Sequence, residues 1–308
     1  MQSLNITYMP PRVIQGYAYP VADNLLMSSH WSHLTKLVLT DLRLSPGAGL
    51  DAAVTFLSDH PTVEILHLDV TCGIRGGWGR VVLPPNTLPC LREIKASKEV
   101  VNAILECPCD VPRPLETIKG VRLSCPSSAD SSWDQDHSFF ANLRRYKAGL
   151  KRIELSGWSE MDDIRRLVEC VPGLTWLDIG KKTANGGPLV KDKFAPVNNP
   201  VEWTILLSAL PELTTFHGIR FFYFVADGIM ARKMDEVSVS ASDRSRIRKN
   251  DEIASLLAWR CPKLRSVDYW DDTAGRVIVL VRSSGACING NATPDEKKVG
   301  WEVRRVKT

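Results

Sequence analysis

The segment GLTWLDI at residues 173–179 decides the fold, because it places Leu174, Leu177 and Ile179 in the spacing L-x-x-L-x-L. Other copies keep this spacing, with an apolar or small residue at each key position. These copies begin at Leu34, Val63, Leu91, Leu115, Leu150, Leu213 and Leu264. Eight copies in one chain indicate a repeat architecture, in which each unit buries its apolar face against its neighbours.

A proline marks the start of many copies, two residues before the first apolar position. These prolines are Pro61, Pro89, Pro172, Pro211 and Pro262. Ahead of Pro172, the residues Met161, Ile164 and Leu167 recur at helical spacing, and proline cannot continue a helix. Helix, proline break and short strand form a crossover between parallel strands. We therefore predict an α/β fold, a leucine-rich-repeat solenoid with a curved parallel sheet inside and helices outside.

The repeat pattern divides the chain into three segments. Residues 1–30 are predicted to be a weakly structured extension, and residues 31–270 to hold about eight irregular repeats. In residues 271–308, the runs RVIVLVR (276–282) and GWEVRRV (300–306) are rich in β-branched residues, which predicts a C-terminal β-hairpin cap. Three long intervals between repeats are rich in Ser, Gly, Pro, Asn or charge and are predicted to be loops. They fall at residues 124–135, 181–200 and 221–250.

Composition limits the class of protein. The 308 residues are 44% apolar and 24% charged, as in ordinary globular proteins, and the net charge of +4 is too small to indicate a nucleic-acid partner. No apolar run reaches membrane-spanning length, and the first eleven residues lack the regions of a secretion signal. We expect no membrane partner and a cytoplasmic or nuclear location, where the eight cysteines are reduced.

Motifs for catalysis are incomplete. The glycine-rich stretch CGIRGGWGR (72–80) lacks the Gly-Lys-Ser/Thr ending of a phosphate loop, and no G-x-S-x-G nucleophile motif occurs. The basic run Arg244, Arg246, Arg248 and Lys249 has acidic flanks and no interleaved aromatic residues, so we predict a solvated insertion. We expect no enzymatic activity and no cofactor.

Metal-ligating patterns are incomplete as well. The ligand-like residues are Cys107 and Cys109 with Cys90 and Cys125, then His30, His33, Asp134, Asp136 and His137. The cysteines form C-x-C rather than C-x-x-C, and neither the two histidines nor the Asp and His set has further ligands at a useful spacing. We therefore expect no metal site. Cys107, Cys170 and Cys261 each lie at a predicted helix end, where a core cysteine is the better interpretation.

The period of two along each strand predicts a binding face. The third and fifth residues of L-x-x-L-x-L point away from the core and project from the concave face of the sheet. The candidate binding residues are Lys36, His67, Lys95, Lys119, Arg152, Glu154, Trp176, Asp178, His217 and Asp268. Basic residues come first and acidic residues later, a gradient that would orient a bound segment, and Trp176 is the large aromatic. Alternatively, Trp176 only shields the sheet.

The helix-proline-strand units, the tail SVDYWDDTAGRVIVLVR (266–282) and GWEVRRV resemble the repeat regions of basidiomycete fungal F-box proteins, from about residue 30 to the end. In that family an N-terminal F-box docks a cullin ubiquitin ligase adaptor, and the repeats select substrates. Residues 1–25 are too short for an F-box and are broken by prolines. The resemblance implies a substrate-recognition scaffold that binds another protein, with ligase machinery as a partner only if an F-box lies upstream. The alternative is a stand-alone repeat scaffold with no ubiquitin ligase link.

Overall fold

The computed structural model describes residues 2–8, 21–45, 47–72, 78, 81–123, 132–182, 199–223, 240–268, 276–282 and 299–305. The chain divides into two compact units, Met1–Val171 and Pro172–Thr308. Each unit combines helices with parallel strands, so the predicted α/β class is confirmed.

Unit 1 holds six strands and five helices among its described residues. The strands are β1 (Ser3–Thr7), β2 (Lys36–Leu44), β3 (Ile65–Cys72), β4 (Glu93–Ala96), β5 (Thr117–Arg122) and β6 (Arg152–Trp158). The helices are α1 (Asp23–Ser28), α2 (Ala48–Asp59), α3 (Lys98–Glu106), α4 (Ser132–Tyr146) and α5 (Met161–Cys170). The six strands pair in parallel and in chain order, β1 through β6.

Unit 2 is built from shorter parallel strands and a terminal antiparallel pair. Its strands are β7 (Trp176–Asp178), β8 (Lys181–Lys182), β9 (Thr215–His217), β10 (Ser266–Asp268), β11 (Arg276–Arg282) and β12 (Val299–Arg305). Its described helices are α6 (Pro200–Ser208) and α7 (Ala241–Arg260). Strands β7, β9 and β10 are parallel, whereas β11 pairs antiparallel with β10 and with β12. The two predicted C-terminal runs therefore pair as neighbouring antiparallel strands.

Each sheet has one buried face and one partly exposed face. Strand order follows chain order within each unit, and crossovers between parallel strands are right-handed, so the helices of a unit gather on the same side of its sheet. In unit 1, Leu37 and Leu68 of the buried face line a small apolar cavity together with Leu26 of α1 and Phe56 of α2. The alternate residues of β2, β4 and β6 are half-buried or exposed.

Proline turns connect the helices to the strands. The amide of the first apolar residue donates to the carbonyl three residues earlier, as Val63 does to His60 and Leu264 does to Cys261. Proline occupies the second residue of both turns, the position where its fixed φ suits a β-turn. Both turns directly follow a helix, so the predicted proline break is confirmed there. The predicted core cysteines are also confirmed, since Cys107, Cys170 and Cys261 are buried.

A shared carbonyl fixes the register between neighbouring repeats. The carbonyl oxygen of Thr35 accepts hydrogen bonds from the amides of Glu64 and Ile65, at 2.8 and 3.0 Å. The same double acceptance recurs at the equivalent residue of the following repeats. These carbonyls belong to Glu64, Arg92, Glu116, Thr175 and Thr214. Each strand therefore starts level with its neighbour, and equivalent repeat positions lie side by side.

The N-terminal segment differs from its prediction. Residues 1–30, expected to be weakly structured, contain strand β1 and helix α1. Leu4 of β1 lies opposite Leu37 and is buried, and the Tyr8 amide donates to the carbonyl of Thr40. Strand β2 is thus covered by β1 and is not an open edge. Residues 9–20 lie outside the described residues.

The predicted loop at residues 221–250 is wrong over its last ten residues. Residues 241–250 form the first half of α7, and the Ser240 hydroxyl caps this helix by accepting from the Asp243 amide at 3.0 Å. Ion pairs at helical spacing, Arg246 with Asp243 and Arg248 with Glu252, support the helix. The polar residues that suggested a loop lie in the first half of α7, which is mostly exposed to solvent. Helices also begin inside the other two predicted loops. Helix α4 begins at Ser132, within 124–135, and α6 begins at Pro200, the last residue of 181–200.

Candidate functional site

The strand register brings the predicted binding residues of unit 1 together in two rows on the face opposite the helices. The first row holds the third residues of the repeats, Lys36, Ile65, Glu93, Thr117 and Arg152. The second row holds the fifth residues, Val38, His67, Lys95, Lys119 and Glu154. All ten are half-buried except Lys95, which is exposed. We call this surface the outer face of unit 1.

Five of these side chains form a continuous series of ion pairs, which we call the charge ladder. His67 Nε2 lies 2.7 Å from Glu93 Oε1, and Lys119 Nζ lies 2.8 Å from the same oxygen. Lys119 Nζ also lies 3.8 Å from Glu154 Oε1, to which the Arg152 guanidinium donates at 2.5 Å. The ladder crosses β3, β4, β5 and β6, so it joins four repeats through their side chains.

The ladder differs from the charge gradient that the sequence predicts. Along the second row alone the charges sort from basic to acidic, as the sequence suggested. Glu93 and Arg152 of the first row intervene, so the ladder alternates in sign. Glu93 was not among the predicted binding residues. The signal that could have found it is its position diagonal to both His67 and Lys119 once the repeats are aligned.

Glu93 is the carboxylate on which the ladder depends. Burial alone raises the pKa of Glu93, but the hydrogen bonds and the charges of Lys119 and His67 together outweigh burial and lower the pKa below its ordinary value. Glu93 therefore stays ionised on the half-buried face. Its charge contributes stability that is present above the unfolded-state pKa and is lost as pH falls through the lowered folded-state pKa.

Gly120 sets the position of Lys119 within β5. Its φ of +83° lies in the left-handed region, and a side chain there would approach the Ala96 carbonyl oxygen to 3.1 Å. The register between β5 and β6 shifts directly after Lys119. Since only glycine adopts this conformation without strain, the bulge and the Lys119 position require Gly120.

Three predicted binding residues of unit 2 also lie close together. The rings of Trp176 on β7 and His217 on β9 pack at a centroid distance of 4.9 Å with a tilt of 49°. Asp178 lies opposite His217, and its Oδ1 accepts from the Gly180 amide at 2.7 Å, which closes a turn. Asp268 ends β10, but its side chain lies outside the described residues. Trp176 is half-buried and lies beside polar groups.

A buried polar cluster lies on the helix side of unit 1. Lys98 begins α3, and its ammonium lies 2.5 Å from the Asp136 carboxylate of α4, with side chains 6% and 11% exposed. Burial raises the pKa of nearby Asp163 on α5, an effect opposed by a hydrogen bond from the Glu160 amide and strengthened by the Asp136 charge. Asp136, considered above as a possible metal ligand, is held by a lysine. The pair ties α3 to α4.

Arg113 is a second buried cation that the sequence did not reveal. It is 4% exposed and follows the Cys107 turn. Its guanidinium donates to the carbonyls of Thr87, Leu88 and Cys107 and to the Tyr146 hydroxyl, at 2.8, 3.2, 3.1 and 3.0 Å. The buried guanidinium is thus satisfied by four neutral acceptors instead of by a carboxylate. Arg113 holds the loops that precede β4 and β5 to the end of α4.

Comparison with known proteins adds no family assignment. No family model matches the chain, and no curated protein was found with a similar sequence. Within the described ranges, no group of three or more His, Cys, Asp and Glu side chains is arranged to hold a metal ion. None of the described helices combines the length and the apolar character needed to cross a bilayer.

Proposed function

We propose that the protein is a non-catalytic scaffold, built as a leucine-rich-repeat solenoid, that binds another protein on the sheet face opposite its helices. The observation that carries this proposal is the strand order, which follows the chain within each unit. Ordinary parallel sheets are covered by helices on both faces and consist of continuous apolar runs. Here most of the outward positions are polar, as Thr117, Lys119 and Glu154 illustrate, and they form a surface rather than a core.

The same order argues against a small-molecule enzyme of the doubly wound type. In such folds the ligand lies where the strand order reverses, because a crevice opens there. Among the described strands of each unit the order does not reverse. The sheet face offers a broad surface of half-buried side chains, and a surface of this shape suits a protein partner.

The charge ladder and the Trp176 pair are the features a partner would contact. The ladder holds its side chains in place before binding, so a partner loses little side-chain entropy on their account. Trp176 presents a half-buried aromatic surface next to Asp178 and His217, the composition typical of an interface hot spot. The remaining candidate positions would supply shape and polarity around these contacts.

The resemblance to fungal F-box proteins supports a finer proposal, that the bound protein is a ubiquitin ligase substrate in the cytoplasm or nucleus. The antiparallel strands β11 and β12 would then cap the solenoid. The gene product, extended upstream to include any F-box, is expected to co-purify with a cullin adaptor. If a partner binds and no adaptor is recovered with the extended product, the alternative is favoured, a stand-alone scaffold with no ubiquitin ligase link.

Site-specific photocrosslinking tests the binding face. A benzoylphenylalanine placed at Thr117 or Thr215 faces outward from the sheet, whereas one at Glu169 or Ser255 lies exposed on a helix. In lysate of the source organism, we expect the sheet position of a unit to capture a partner protein and the helix position of the same unit not to capture it. Capture from the helix positions alone would place the interface on the other side and overturn the proposal.

A further inference from the structure

Lys95 is the exposed cation at the centre of the outer face of unit 1. It lies level with His67 on one side and Lys119 on the other. Both neighbours turn their donors toward Glu93, and Lys95 has no ion pair among the described residues. Three basic side chains therefore stand in one row beside one carboxylate that two of them already share.

The carboxylates of the two rows are already occupied. Glu93 Oε1 lies near both His67 and Lys119, and Glu154 Oε1 lies near both Lys119 and Arg152. The two rows hold the cations Lys36, Lys95, Lys119 and Arg152 against these two carboxylates. The excess is two positive charges even with His67 neutral. Lys36 and Lys95 carry this excess, because neither has an ion pair among the described residues.

Nearby charged residues do not cancel this excess. Arg122, at the end of β5, is exposed and has no ion pair among the described residues. Asp69 lies two residues after His67 on β3 and is exposed, but no ion pair joins it to Lys95 in the part of the chain that the structure describes. The surface around Lys95 is thus complementary to negative charge.

We propose that the outer face of unit 1 binds an extended acidic segment of a partner protein, with one carboxylate of that segment on Lys95 and another on Lys36. This inference rests on the proposed function. Lys36 and Lys95 lie two strand spacings apart across the sheet and two residues apart along it. Their separation is therefore about 12 Å, which matches acidic residues three to four positions apart in an extended chain. Electrostatic complementarity of this kind selects the partner and its direction.

A protein segment fits the surface better than a nucleic acid. The excess charge is two, whereas phosphate backbones are bound by longer rows of cations. The two rows of unit 1 carry no Phe, Tyr or Trp on which bases could stack. Val38 and Ile65, half-buried between Lys36 and His67, would instead contact apolar side chains between the acidic residues.

The test selects ligands from a phage library of random dodecapeptides with the full chain as bait. Selected peptides are then measured by fluorescence anisotropy against variants of that chain. We expect selected peptides to be rich in Asp and Glu, and Lys95→Glu to weaken their binding by about tenfold or more. Lys147→Glu makes the same charge change at an exposed turn after α4 and is expected to leave binding unchanged. Lys95→Arg should retain binding, and Asp69→Asn should tighten it by removing the competing carboxylate.

The outcomes separate this inference from the proposed function. Thr117→Trp blocks the outer face without altering its charge. If Thr117→Trp abolishes binding of peptides that are neutral or indifferent to Lys95→Glu, the acidic-segment inference fails while the binding face stands. If no selected peptide responds to Thr117→Trp or to Lys95→Glu, both fail. An oligonucleotide that displaces the peptides and binds more tightly in a Lys95-dependent manner would also overturn the acidic protein segment as the occupant.

Discussion

Replacing Arg113 by Met tests whether a buried guanidinium holds the loops that support the sheet. Methionine has a similar length and no donors, so the change removes four hydrogen bonds and leaves the space largely filled. The acceptors left behind are the carbonyls of Thr87, Leu88 and Cys107 and the Tyr146 hydroxyl. We expect a lower free energy of unfolding.

The magnitude follows from two opposing effects. A hydrogen bond from a charged donor contributes about 1.5 to 3 kcal/mol, so four amount to roughly 6 to 12 kcal/mol. Removing a buried charge also removes its desolvation penalty, which is several kcal/mol. The expected net loss for Arg113→Met is about 3 kcal/mol, near the upper end for single substitutions. Arg113→Lys keeps the charge but not the planar donor fork, so we expect it to recover less than half of the loss.

Urea denaturation followed by circular dichroism measures this loss. Arg145→Met is the matched control, because Arg145 is exposed on α4 and has no hydrogen bond or ion pair among the described residues. The control is expected to change the free energy of unfolding by less than about 0.5 kcal/mol. If Arg113→Met unfolds at the same urea concentration as Arg145→Met, the four hydrogen bonds do not stabilise the loops and the reasoning is wrong.

Three other predictions concern the ladder, the helix-side cluster and Trp176. Lys119→Met is expected to cost about 1 kcal/mol at neutral pH, because its ion pairs are partly exposed. In urea denaturation against pH, the cost should shrink as pH falls below 4.5 through the lowered pKa of Glu93, and a cost independent of pH would contradict the ladder. Asp163→Asn should gain stability over the wild-type chain as pH rises above 3.8 through the raised pKa of Asp163; no relative gain in the same assay would refute this. Trp176→Ala should weaken partner binding at least about tenfold while the circular dichroism spectrum is retained, and unchanged affinity would assign Trp176 to shielding the sheet.

The apolar spacing predicts the sheet register well, for a physical reason. Burying Leu37, Leu66 and Ile94 on one face forces the residues between them to the other face, so His67 and Lys95 lie side by side as the sequence indicates. The shared carbonyls then fix the rows. Local pattern and tertiary structure agree along these strands because one face is buried.

The remaining features depend on contacts that the pattern does not contain. Which oxygen Lys119 reaches is decided by side-chain direction across strands, so Glu93 emerges only from the structure. Lys98 and Arg113 are buried, whereas lysine and arginine are ordinarily exposed. Strand β1 lacks the proline turn that marks the start of several other strands. In α7, polar residues form an exposed helix supported by ion pairs at helical spacing.

The proline turns determine where this chain tolerates added length. On the amino side of β3, the hydrogen bonds of the His60 to Val63 turn and of the shared Thr35 carbonyl fix the chain length between α2 and the strand. One residue added between Pro61 and Thr62 would shift the strand by one position and turn Leu66 toward solvent. On the carboxyl side, the interval between a strand and the next helix already varies in length among repeats. It is one residue, Ser97, between β4 and α3, and runs over residues 123–131 between β5 and α4. A fluorescent tag or a grafted recognition loop therefore belongs after a strand, where it would extend the rim of the sheet without disturbing its rows.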